Sequence, residues 1–155
     1  MAGCSGRPLC QAYEADYRNE ERFEFPGSLS KEIYMKYMFL IYSEESDEPL
    51  QPEERHKLIE GHRTVMQDAE QKGILLGTER LKPTATATTV RRKNSIPMTI
   101  DGPFAETKEQ LAGYYILECK DLDEAIEWGK RIPTVCKGRE GCIEIRPVAD
   151  IPKRE

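Results

Sequence analysis

Two helical stretches are set among short runs of β-forming residues, and their order along the chain leaves few ways to fold. Lys36 to Tyr42, KYMFLIY, is aromatic and apolar throughout and reads as a buried strand. Between Glu53 and Lys72, Leu58, Ile59, Val65, Met66 and Ala69 recur at helical spacing. Pro52 suits the first turn of that helix and Gly73 its end. Ile74 to Leu81 is a second strand, weakened by Gly77. Pro83 opens a Thr-rich stretch, TATATTVRR, whose composition predicts extended structure. Lys93-Asn94-Ser95 reads as a turn and Ile96 to Ile100 as a returning arm, closed by Asp101-Gly102-Pro103. Leu111 to Cys119, LAGYYILEC, is the next strand. Asp121 is a fair N-cap for a short helix whose apolar side is Leu122, Ala125, Ile126 and Trp128. Gly129 and Pro133 mark its end, and Gly138 and Gly141 belong to the loop that follows. Cys142 to Val148 alternates Ile143 and Ile145 with Glu144 and Arg146, as a half-buried strand does.

The order is strand, helix, strand, inserted β-hairpin, strand, helix, strand. A βαββαβ chain of this kind is expected to fold as an α+β, ferredoxin-like sheet with both helices on one face. Its other face then has no helix over it. A second copy of the chain is the simplest cover, hence a homodimer; the alternative is residues 1–34. That stretch has no apolar periodicity longer than a turn and reads as an N-terminal extension, flexible or docked, ahead of a domain at 35–155. Tyr13, Tyr17, Phe23 and Phe25 could dock it on the body or on a partner subunit. Either Met35 is the natural start or the extension is an added arm.

Composition narrows the function. Across 155 residues, 23 Lys and Arg face 28 Asp and Glu, a net charge of −5 that argues against direct nucleic-acid binding. No apolar run approaches the roughly 18 residues of a membrane span. Five cysteines, Cys4, Cys10, Cys119, Cys136 and Cys142, show no CxxC spacing, and their odd number cannot close within one chain. A local Cys136–Cys142 disulfide is conceivable, but free thiols in a reducing cytoplasm are the expected state, and no signal-peptide pattern opens the chain.

At Asp101 the chain reads DGPFAETKEQLAGYYILECKDLDEAIEWGKRIP, closing with IEIRPV. This string, with MKYMFLIY at 35–42, His62 and TATATTVR, closely resembles the DGPF subfamily of the YCII-related proteins, over residues 35–148. The turn departs from the resemblance: many relatives are expected to carry Asp-Gly where this chain has Lys93-Asn94-Ser95. The resemblance implies membership of the dimeric α+β barrel superfamily, a ferredoxin-like protomer and a dimer with packed sheets. It leaves the activity open between small lyase- or isomerase-type enzymes and proteins associated with sigma factors of the extracytoplasmic-function type.

His62 lies on the apolar stripe of the first helix, four residues after Leu58, and its imidazole can move a proton near neutral pH without a cofactor. It is equally a core-edge histidine held by one hydrogen bond; the resemblance, which suggests a cleft histidine here, brings the two readings level. His56 falls off the stripe and reads as solvated. Asp101 is the candidate to orient His62 as a catalytic dyad, although an Asp before Gly-Pro often bonds its own turn. Arg80 and Arg91 are candidates for binding an anionic substrate, with Thr89 and Tyr114 as further ligand contacts. Tyr114 and Tyr115 point to opposite faces of one strand, so one faces a pocket and the other the dimer core. No metal-ligand spacing, phosphate loop or nucleophile elbow is present, so no metal or cofactor is expected. Two functions follow: a cofactor-independent enzyme acting on a small organic acid or phenolic compound through His62 and Asp101, or a non-catalytic binding or regulatory module. The first needs the two side chains in contact beside a pocket of a few hundred Å³, and the second an exposed apolar patch.

Overall fold

The computed structural model describes residues 34–46, 48, 50–134 and 141–149. Of the extension assigned to 1–34, residues 1–33 lie outside the described residues, as do Gly138, Cys4, Cys10 and Cys136. The elements run β1 (Met35–Glu44), α1 (Pro52–Gln71), β2 (Leu75–Arg80), β3 (Thr88–Lys93), β4 (Ile96–Asp101), β5 (Glu109–Cys119), α2 (Leu122–Arg131) and β6 (Gly141–Pro147). Four strands form one antiparallel sheet in the order β2-β5-β1-β6. That order, with a helix following the first and third of these strands, is the ferredoxin-like α+β arrangement. β3 and β4 pair with each other as a separate two-stranded ribbon. Asn94 and Ser95 join them with φ of 51° and 67°, the left-handed pair of a type I′ turn, whose twist matches that of the strands.

Alternation along the two central strands decides which side chains meet the helices. Tyr37, Phe39 and Ile41 of β1 and Tyr115, Leu117 and Cys119 of β5 turn to one face, where Val65 and Ala69 of α1 and Ala125 and Trp128 of α2 complete the core. Each large side chain buried there contributes about 1.5–3 kcal/mol relative to leaving it in water. The intervening residues Met38, Leu40, Tyr114 and Ile116 are opposite one another in register and share the other face, where they are only partly covered.

Local chemistry sets the helix ends. Gly73, at φ 70°, turns the chain after α1 and donates its N–H to the Glu70 carbonyl (2.9 Å). Asp121 Oδ1 accepts the Glu124 N–H (2.8 Å) and caps α2 as expected. Arg131 and Lys72 lie over the buried Trp128 ring at 4.5 and 5.1 Å, and Arg131 also pairs with Asp68 of α1, tying the helices together.

Three details differ from the sequence reading. Leu122 and Ile126 are exposed, because the covered arc of α2 is centred on Ala125, Trp128, Gly129 and Ile132 and the other two lie on its flank. Ile59 is likewise exposed on α1. Thr84 to Thr86 forms a 3-10 turn rather than extended chain. Its threonines bond to nearby groups that a strand would not offer: Thr84 N and Oγ1 donate to the Glu45 carboxylate (2.9 and 2.7 Å), and Thr86 Oγ1 donates to the Pro83 carbonyl (2.8 Å).

Candidate functional site

His62 reaches the covered face of the sheet from the middle of α1, and the chemistry there begins with its ring. Nδ1 lies 2.8 Å from the Tyr115 hydroxyl of β5. The two rings are nearly parallel, 14° apart with centroids 6.0 Å distant. Tyr115 is itself only 2% exposed, so its hydroxyl is a fixed anchor. On β2, Thr78 stands opposite Tyr115 in the ladder and Arg80 opposite Gly113. Alternation therefore puts both on the same face as the His62–Tyr115 pair.

These neighbours keep the imidazole neutral. Partial burial lowers the His62 pKa below 6.5, and the positive charge of Arg80 lowers it further. Burial raises the Tyr115 phenol above 10.0, while a hydrogen bond from Thr78 acts in the opposite direction. Among the described residues no fully buried side-chain nitrogen or oxygen lacks a partner, so Nε2, with no side-chain bond among those residues, is not sealed from solvent. With Nδ1–H donating to Tyr115, Nε2 is a proton acceptor; with the Tyr115 hydroxyl donating to Nδ1, Nε2–H is a donor. One ring nitrogen is tethered and the other is available for proton transfer.

The remaining candidates have other partners. Asp101 stands at the foot of the ribbon, exposed and opposite Thr88, and the hydrogen bond of His62 goes to Tyr115. Thr89 Oγ1 donates to the Gly102 carbonyl (2.7 Å) and the Arg91 guanidinium to the Phe104 carbonyl. The Gly102 N–H, at φ 93°, donates to the Ala87 carbonyl (2.8 Å). These three bonds clamp the Asp-Gly-Pro-Phe string against the Thr-rich strand. Tyr114 faces away from His62, beside Leu40 and Glu79 in register. The site thus combines His62 and Arg80 with Tyr115 and Thr78, neither of which the sequence reading gave a role beside His62.

Two surface depressions, of about 520 and 560 Å³, lie away from this group. The first is lined by Tyr42, Thr107, Lys108, Glu109, Cys142 and Glu144 at one end of the uncovered face. The second lies at the start of α2, between Asp121 and Lys130. Cys119 and Cys142 are free thiols. Burial pushes the Cys119 thiol up to about 11, with Glu124 and Asp121 adding to the effect, so it is not a nucleophile at neutral pH. Among the described residues no three His, Cys, Asp or Glu side chains cluster as metal ligands, and no helix is long and apolar enough to cross a membrane.

Comparison with known proteins places these residues inside one family domain. The model of the YCII-related domain matches residues 35–152, which include every candidate side chain. A curated protein of Rhizobium meliloti (strain 1021), described as uncharacterized protein R00369, is 35% identical over 116 residues, covering 74% of this chain and 93% of that protein.

Proposed function

The chain belongs to the YCII-related family, and from that premise we propose a cofactor-independent proton-transfer enzyme of the lyase or isomerase type, acting on a small organic acid or phenolic compound in the cytoplasm. One observation carries this reading: His62 is held at Nδ1 by a buried tyrosine, is kept neutral by burial and by Arg80, and leaves Nε2 open. A neutral imidazole with one oriented nitrogen is what general acid–base catalysis needs near pH 7. Arg80 would draw an acidic substrate toward the ring through its two-pronged donors. Asp101 enters as a second acid–base group carried by the ribbon, with Tyr115 rather than Asp101 orienting the histidine.

The DGPFAETKE string supports placing the chain in the DGPF subfamily. The uncovered sheet face, with Met38, Leu40, Tyr114 and Ile116 in adjacent cross-strand positions, supports a homodimer of the dimeric α+β barrel kind, formed through that face. Tyr114 would then lie in the interface.

The test is proton exchange in heavy water. Wild type, His62→Asn and Asp101→Asn are incubated with a panel of small carboxylic and phenolic compounds, and deuterium incorporation and product formation are read by NMR. Loss of a general acid–base group should slow turnover by about 10²–10⁴-fold in His62→Asn. No turnover of any compound, or equal rates in wild type and His62→Asn, rejects the enzymatic reading. A second reading, a non-catalytic binding or regulatory module, is favoured by the exposed apolar side chains of the ribbon and by the absence of His62 from both depressions described above. Ligand binding without turnover in the same panel would support it.

A further inference from the structure

The β3–β4 ribbon is built unlike the rest of the chain. Among the described residues its two strands pair in a sheet only with each other, and every β4 residue is exposed. In register, Ile96, Met98 and Ile100 share one face with Lys93, Arg91 and Thr89. The three apolar side chains are 64%, 47% and 44% exposed, and Phe104, whose carbonyl Arg91 holds, is 74% exposed. A two-stranded hairpin is marginal in water without a surface to pack on, and a contiguous apolar column is a place where another surface binds.

Charge indicates which surface. From Arg80 to Ile100 the chain carries five Lys and Arg and no Asp or Glu, leaving 18 basic residues against all 28 acidic ones in the remainder. A strongly cationic segment in an acidic protein finds its complement on another copy of that protein. The uncovered sheet face has the matching pattern. One cross-strand row runs Glu79, Tyr114, Leu40, Glu144, apolar between two carboxylates of which Glu144 is paired with Arg146. The next runs Ile116, Met38, Arg146, so the acidic border open to a cation is the Glu79 edge.

We propose that the β3–β4 ribbon is an intermolecular arm: its Ile96–Met98–Ile100 column packs on a second copy of this chain, with Lys93 meeting the Glu79 border of that copy's uncovered sheet face. In a two-fold dimer the exchange is reciprocal, so each ribbon is covered by the partner's sheet border. The arm rests on the homodimer proposed above and adds to it a second contact with its own residues.

The experiment measures self-association of the full chain by sedimentation velocity for wild type, Met98→Glu and Ile116→Glu, each checked for folding by circular dichroism. It is paired with photo-cross-linking from a benzophenone side chain at position 98. Burying a carboxylate in place of Met98 should weaken the dimer by about tenfold or more, and the cross-link should join two chains at the peptide containing Glu79. In a further pair, Lys93→Glu should weaken association and the added change Glu79→Lys should restore it. Dissociation of Ile116→Glu but not of Met98→Glu overturns the arm and leaves the sheet-face dimer standing. The converse result removes the sheet-face dimer and overturns the arm as placed on it. Cross-links confined to one chain overturn the arm, and a monomeric wild type overturns both.

Discussion

Tyr114 and Tyr115 are neighbours on one strand, yet they belong to two different surfaces. Tyr115 is sealed under α1 with its hydroxyl on His62; Tyr114 stands on the opposite face between Leu40 and Glu79. The covered face holds the fully buried Phe39, Leu117 and Cys119 and fixes the architecture. The uncovered face has residues almost as apolar but, among the described residues, no helix over them. Hydrophobicity alone therefore does not separate the two faces; the helices do, by covering one of them.

The widest gap between the faces should appear in the core. Phe39→Ala removes a fully buried ring and should cost about 3–5 kcal/mol in urea unfolding, whereas Leu40→Ala, one residue along on the uncovered face, should cost about 1 kcal/mol in the monomer. Equal losses would mean that the two faces are equally buried.

Backbone crowding gives a narrower contrast. A Cβ at Gly113 would lie 2.7 Å from the Glu79 carbonyl oxygen, whereas one at Gly77 meets nothing within 4 Å. Gly113→Ala should destabilise by about 1–3 kcal/mol. Gly77→Ala should be neutral or slightly stabilising, since it stiffens the unfolded chain. Thermal melting of both variants checks the pair.

The tyrosines provide a smaller effect. Tyr115→Phe breaks the bond to His62 and should cost about 1 kcal/mol, while Tyr114→Phe should change the unfolding free energy little in the monomer. The least effect is a pH dependence. Because folding lowers the His62 pKa below 6.5, the unfolded chain binds the extra proton more readily. The contribution is present above pH 6.5 and is lost as the pH falls through that value toward the folded pKa. Denaturation midpoints of wild type and His62→Gln across this range should therefore diverge, with the variant showing the shallower decline toward acid.

Much of the fold was legible because its signals are local. The KYMFLIY run, the helical spacing from Leu58 to Ala69, the Asp121 cap and the Gly73 stop each act within a few residues, and together they define the order of elements. The errors came where a tertiary contact decided the outcome. Thr84 took a turn because Glu45, far along the chain, offered it a carboxylate. Leu122 fell on the flank of α2 because the sheet meets a different arc of the helix. At the site, His62 could be placed on the inward stripe of α1, but its partner could not be identified. YYIL is apolar on both faces, so choosing Tyr115 over Tyr114 required knowing which face α1 covers. For Thr89 and Arg91 the sequence pointed to ligand contacts, since hydroxyl and guanidinium groups bind substrates and backbone carbonyls equally well; the bonds they make here hold the Gly102–Phe104 segment.

The central claim is that His62 is a neutral, anchored imidazole lying in the field of Arg80. Its direct test is an NMR titration of the His62 ring nitrogens in wild type and Arg80→Gln, with and without a saturating small carboxylate. The wild-type midpoint should lie below 6.5, rise in Arg80→Gln as the repelling charge is removed, and rise on carboxylate binding to the wild type. A midpoint at or above 6.5 that responds neither to Arg80→Gln nor to any carboxylate would contradict the claim and leave His62 as a structural residue of the core edge.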